Sequence, residues 1–104
     1  VGVKLEKPLT IPHIRRKVSE FFNIPVNDLV SKSRTKEISY ARQMAMYLTR
    51  ELTNVSLPKI GESFGKRDHT TVMHACDKIK GLVATDPETK QLFNSLISNI
   101  KNDG

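Results

Sequence analysis

Apolar residues recur every three or four positions along most of the chain and nowhere alternate with period two, so the pattern predicts an all-α fold. Thr10 is placed to cap a first helix with Pro12 in its first turn, and Ile11, Ile14, Val18 and Phe21/Phe22 fall on one face. Arg15, Arg16 and Lys17 then point elsewhere. A turn at Asn23-Ile24-Pro25 leads to a short helix containing Val26, Leu29 and Val30, followed by a polar, basic loop from about Ser31 to Ser39. The third helix is expected from about Ser39 to Thr53, with Ala41, Met44/Ala45, Leu48 and Leu52 inward.

Ser56 can cap a fourth helix of about two turns filled by Leu57, Pro58, Ile60 and Phe64, and Gly65 is suited to end it with positive φ. Asp68 can cap the fifth, where Val72, Ala75/Cys76, Ile79 and Leu82/Val83 form the apolar stripe. Asp86-Pro87 is a cap followed by proline at the first helical position, and Leu92/Phe93, Leu96/Ile97 and Ile100 complete a sixth helix that closes the core. A single domain over residues 9–101 is expected, with residues 1–8 and 102–104 as frayed ends. The fourth and fifth helices, joined at Gly65-Lys66-Arg67, have the lengths and turn residue of a helix-turn-helix spanning Ser56 to Leu82.

A chain of 104 residues can bury one modest core without disulfides or metal. The one cysteine, Cys76, cannot form an internal disulfide, which together with the lack of an apolar leader makes a cytoplasmic setting the expectation. The net charge of +6 suits a polyanion, and its distribution sharpens the point. Residues 32–80 hold ten Lys/Arg against five Asp/Glu, whereas residues 81–104 hold two against three.

That basic middle contains the helix-turn-helix, and Arg67, Asp68, His69, Thr70 and Thr71 crowd five hydrogen-bonding side chains at the start of its second helix. DNA-reading helices carry their base-contacting residues there, whereas a purely structural helix start needs only the cap. Double-stranded DNA is therefore the expected partner, with a protein-docking module, its Lys/Arg acting as rim charges, as the alternative.

The stretch Gly65-Lys66-Arg67-Asp68-His69-Thr70-Thr71-Val72-Met73-His74-Ala75 resembles the signature of the bacterial DnaA replication-initiator family. The similarity continues through residues 41–48 and 56–61 and covers roughly Leu9 to Lys101, the C-terminal domain of that family. The resemblance implies a monomeric six-helix domain, free of cofactor and of catalytic residues, that binds short asymmetric boxes of the TTATNCACA type at the replication origin. It implies that ATP and the other initiation proteins are met through family domains outside this chain, and that the protein is nucleoid-associated.

By the same resemblance, Asp68, His69 and Thr70 are the expected major-groove contacts and Arg34 the minor-groove contact. The chemistry agrees: a carboxylate accepts from cytosine N4, a hydroxyl serves either edge, a histidine ring lies against a thymine methyl, and arginine suits a narrow A·T-rich minor groove. Lys32, Lys36, Arg42, Gln43, Arg50, Leu57, Pro58, Arg67 and Thr71 are the expected contacts to the phosphate backbone, Leu57 and Pro58 through main-chain groups. Two departures from the family pattern stand out: Glu37 makes the basic loop less positive, and Lys66 replaces a second glycine.

Other motifs carry less. His69 and His74 are five residues apart, where zinc ligands on a helix need three or four, and Cys76 sits in the apolar stripe as a small hydrophobe. Gly61 to Arg67 has one residue too few between its glycines for a phosphate-binding loop, and Arg in place of Ser/Thr. Arg15-Arg16-Lys17 is either a solvated face or part of a basic amphipathic helix touching acidic phospholipid, which the family resemblance makes conceivable.

Overall fold

A computed structural model describes residues 9–102, and the expected frayed ends at 1–8 and 103–104 lie outside the described residues. Among the described residues there are six helices and no strands: α1 (Ile11–Phe22), α2 (Val26–Leu29), α3 (Lys36–Leu52), α4 (Leu57–Ser63), α5 (His69–Thr85) and α6 (Pro87–Asn102). Asn102, expected in the frayed end, is the last residue of α6.

The caps stand where the sequence predicts them. Thr10 accepts the His13 amide, Ser56 the Lys59 amide and Asp68 the Thr71 amide, each satisfying one N–H that a helix start leaves open. Asp86 accepts both the amide and the hydroxyl of Thr89. α1 ends at Asn23, which takes the left-handed conformation at φ 57°.

The helix α3 is central and packs against α1, α2, α4 and α5. Its buried set is accordingly wider than one stripe: Met46, Tyr47 and Thr49 are enclosed along with Ala41, Met44, Ala45 and Leu48. The core joins these to Ile14, Val18, Leu29, Ile60, Phe64, Val72, Ile79, Leu96 and Ile100, all essentially without solvent contact. Burying each Leu, Ile, Val, Phe or Met side chain contributes about 1.5–3 kcal/mol, which lets this modest core hold six helices.

Two expectations are corrected. α3 begins at Lys36 with Thr35 as its cap residue, not near Ser39, so Lys36 and Glu37 occupy its first turn and the basic loop is shorter. Polar residues there give no apolar signal, yet lysine and glutamate are good helix formers, and Glu37 complements the positive end of the helix dipole. Phe21 is 38 % exposed instead of joining the apolar face of α1. Phe22 takes the inward place, its ring edge-on to Tyr40 at 6.0 Å, and Phe21 leans on Phe22 at 5.4 Å.

Candidate nucleic-acid interface

The turn between α4 and α5 is built by close backbone approach. The Arg67 amide donates to the Gly61 carbonyl at 2.9 Å, and a Cβ at Gly61 would overlap the Arg67 carbonyl oxygen. Gly65 at φ 92° and Lys66 at φ 60° then swing the chain through the left-handed region. The expected positive φ at Gly65 is present, and Lys66 holds a conformation that glycine adopts without strain.

At the start of α5, Asp68, His69, Thr70 and Thr71 are all exposed, while Val72, Ala75, Cys76 and Ile79 anchor the opposite side. Hydrogen bonds from Thr71, helped by the neighbouring His69 and Thr70, hold the Asp68 carboxyl below its usual range. It stands at neutral pH as an ionised acceptor facing solvent. Burial pushes the Cys76 thiol up, consistent with its reading as a small hydrophobe.

The loop that leads into α3 places its basic residues outward by a simple device. Ser31 accepts the Ser33 amide at 3.1 Å and Ser33 accepts the Thr35 amide at 3.4 Å, so the small hydroxyl residues bond along the chain. Lys32 and Arg34, between them, are exposed. Lys36 is exposed in the first turn of α3 and Arg50 in its last.

The structure differs from expectation at Arg42. This side chain is only 5 % exposed and is turned inward: Nε donates to Leu29 O at 2.7 Å, and Nη2 to Ser31 O at 2.8 Å and Asp28 O at 3.3 Å. A guanidinium so engaged holds the end of α2 and is not displayed to a phosphate. The reason is local, since a helix end leaves carbonyls without partners and an arginine fork satisfies several of them. Arg67 is half-buried and behaves alike, donating to the Phe64 carbonyl and, at 2.7 Å, to Ser31 O. Burial, and for Arg42 also the adjacent Arg67 charge, lower the pKa of both groups from the usual arginine value.

Gln43 and Thr71 come together in a crevice of about 280 Å³ between α3 and α5, and the Gln43 Oε1 is buried without a hydrogen-bond partner. His74 and Lys78 line the same crevice. The sequence gives them no expected contact, although Thr70, His74 and Lys78 follow at intervals of four and share a helix face. Leu57 and Pro58 occupy the first two positions of α4; Pro58 has no N–H and Ser56 takes the Lys59 amide, so the main-chain contact expected there falls to the Leu57 amide.

Arg15, Arg16 and Lys17 do not form one free basic face. Arg15 donates to Ser63 O at 2.6 Å, Arg16 lies 3.3 Å from the His13 ring, and Lys17 pairs with Glu20 at 3.7 Å. Among the described residues no helix is long and apolar enough to cross a membrane, and no group of three or more His, Cys, Asp or Glu is placed to hold a metal ion.

Residues 11–79, from the start of α1 into the middle of α5, match the family described as bacterial dnaA protein helix-turn-helix. The chain belongs to that family. Its DnaA relationship extends beyond the matched region: it is 46% identical over 101 residues to the chromosomal replication initiator protein DnaA of Oenococcus oeni (strain ATCC BAA-331 / PSU-1), covering 97% of this chain and 22% of that protein. The chain thus spans about a fifth of that DnaA relative's length. A crystal structure described as a DNA replication initiation factor superposes with a TM-score of 0.79 at 32% identity, covering 88% of this chain and 28% of that one.

Proposed function

We propose that this domain is the sequence-reading module of a chromosomal replication initiator, binding short asymmetric duplex boxes of the TTATNCACA type at a bacterial origin. The observation that carries the reading is the start of α5, where Asp68, His69 and Thr70 are all exposed on a helix whose opposite side is locked in the core. A helix presented in this way enters the major groove by its N-terminal residues. Asp68 accepts from a cytosine amino group, and His69 and Thr70 meet base edges or a thymine methyl. Arg34 enters the minor groove, while Lys32, Lys36, Gln43, Arg50, Thr71 and the Leu57 amide lie along phosphates.

An asymmetric box needs no twofold partner, so the domain acts as a monomer on DNA, contributes binding and not catalysis, and works at the nucleoid in the cytoplasm. ATP and the other initiation proteins belong, on this reading, to parts of the relatives outside this chain. Acidic phospholipid, the other partner expected through α1, fits less well, because Arg15 is engaged by α4 and Lys17 by Glu20.

The test is a gel shift with a TTATNCACA duplex against a scrambled duplex at one salt concentration, since salt governs any such comparison. Wild type should prefer the box, and His69→Ala and Thr70→Ala should each lose about 1–3 kcal/mol of that preference while binding scrambled duplex unchanged. Equal binding of both duplexes by wild type would refute the reading.

A further inference from the structure

Arg42 reaches back from α3 and Arg67 reaches out from the helix-turn-helix, and their guanidinium groups meet at one atom. Both donate to the Ser31 carbonyl, at 2.8 and 2.7 Å. Arg42 also holds the Leu29 and Asp28 carbonyls at the end of α2, and Arg67 the Phe64 carbonyl at the end of α4. Among the described residues no carboxylate forms an ion pair with either arginine. Bringing two like charges to one oxygen is electrostatically unfavourable, so what the arrangement secures is geometry.

The backbone repeats the theme. A Cβ at Gly65 would overlap both the Val30 carbonyl oxygen and the Arg67 guanidinium, so the turn of the helix-turn-helix lies directly against the root of the basic loop. From Ser31 the loop is carried onward by the Ser31-to-Ser33 and Ser33-to-Thr35 hydrogen bonds, and Thr35 is already the cap residue of α3. Arg34 therefore sits on a segment fixed at both ends.

Resting on the DNA-binding reading above, we infer that Arg42 and Arg67 are positioning residues that hold the Arg34 loop against the turn carrying the recognition helix, so that loop and helix meet one duplex in fixed register. Neither needs to touch DNA. What matters at position 67 is the fork and not the charge, because a lysine ammonium cannot reproduce the planar pair of N–H groups that bridges the Phe64 and Ser31 carbonyls.

A thermodynamic cycle on the whole chain tests this, with Arg34→Ala, Arg67→Lys and the double variant titrated by fluorescence anisotropy against box and scrambled duplexes at several salt concentrations. Arg67→Lys should weaken box binding roughly tenfold, leave scrambled binding and the salt slope at wild-type values, and have less than about a twofold effect once Arg34 is alanine, because no arm is left to place. Additive losses would overturn the inference, and so would equal weakening on both duplexes with a shallower salt slope, which marks a phosphate contact. Backbone NMR order parameters of the free protein give a second readout. Arg67→Lys should lower them at Ser33 and Arg34 and leave Val72 and Ile79 unchanged; an unchanged loop, or a loss spread over the whole chain, overturns the clamp. If wild type fails to prefer the box, the DNA-binding reading falls, and the order parameters still decide whether the clamp holds the loop.

Discussion

The Asp68 carboxylate accepts the Thr71 amide at 2.8 Å, so one side chain closes the start of α5 and also stands at the front of its exposed face. Cap and contact are compatible because a carboxylate has lone pairs to spare after one amide is satisfied. The same bond ties the electrostatics of the recognition helix to its stability.

A pH dependence follows. Hydrogen bonding from Thr71 depresses the Asp68 carboxyl in the folded state, so its contribution is fully present above the unfolded value of about 4 and is lost as pH falls through the depressed folded value. Asp68→Ala should melt below wild type at pH 7, and the difference should shrink only in the acid range below about pH 4. Asp68→Asn keeps an acceptor, so its difference from wild type should follow the ionised form alone. Thermal melts by circular dichroism across this range check both; a wild-type advantage over Asp68→Ala that persists undiminished at pH 2 would mean the cap does not depend on ionisation.

Lys66, at φ 60°, invites a comparison of two small residues. A Cβ in the left-handed region costs about 1–2 kcal/mol, which glycine escapes at some loss of unfolded-state entropy. Lys66→Gly should therefore exceed Lys66→Ala in stability by about 1 kcal/mol, read as a higher urea midpoint at equal m. Both variants remove the same charge, so electrostatics cancel from the comparison. Equal midpoints would show that the turn relaxes away from φ 60°.

Ile79 has no solvent exposure and belongs to the stripe that seats α5 on the core. Ile79→Ala should lose about 2–5 kcal/mol, with DNA binding failing through unfolding. Lys80→Ala, one residue on and exposed, should stay within about 0.5 kcal/mol of wild type. A wild-type melt for Ile79→Ala would reverse the assigned inward face of the helix.

These elements were legible in the sequence to different degrees, and the difference is one of range. The caps at Thr10, Ser56, Asp68 and Asp86, and the positive φ of Gly65, follow from interactions within a few residues, which a linear pattern carries. The phosphate contact expected of Arg42 came from the family resemblance, and the local pattern around a charged side chain, which ordinarily faces outward, gives no sign against it. It turns inward to carbonyls 11 to 14 residues back, a demand set by how α2 meets α3. Gly61 belongs in the sequence to the stretch 56–61 that carries the family resemblance and to a rejected phosphate loop, and neither gives it a physical role. Its reason is the carbonyl of Arg67 passing over it, which becomes visible once the turn is folded. The crevice holding Gln43, Thr71, His74 and Lys78 likewise draws on two helices.

Arg34 supplies the sharpest test of how the loop meets DNA. It is exposed, lies between two residues whose hydroxyl and amide groups bond along the chain, and has room to extend from the surface. If it only attracts phosphates, lysine should replace it with little loss, since either side chain brings one positive charge. If it enters a narrow A·T-rich minor groove, arginine is preferred, because its guanidinium is flat and more weakly hydrated than an ammonium. The floor of the groove provides the control: G·C pairs carry the guanine N2 amino group there, and A·T pairs do not. Arg34→Lys should thus weaken binding to a box with A·T pairs beneath the loop clearly more than to the same box with G·C pairs at those positions. Fluorescence anisotropy on the two duplexes at matched salt measures the difference. An Arg34→Lys protein that binds both as wild type does would reduce Arg34 to one more phosphate contact.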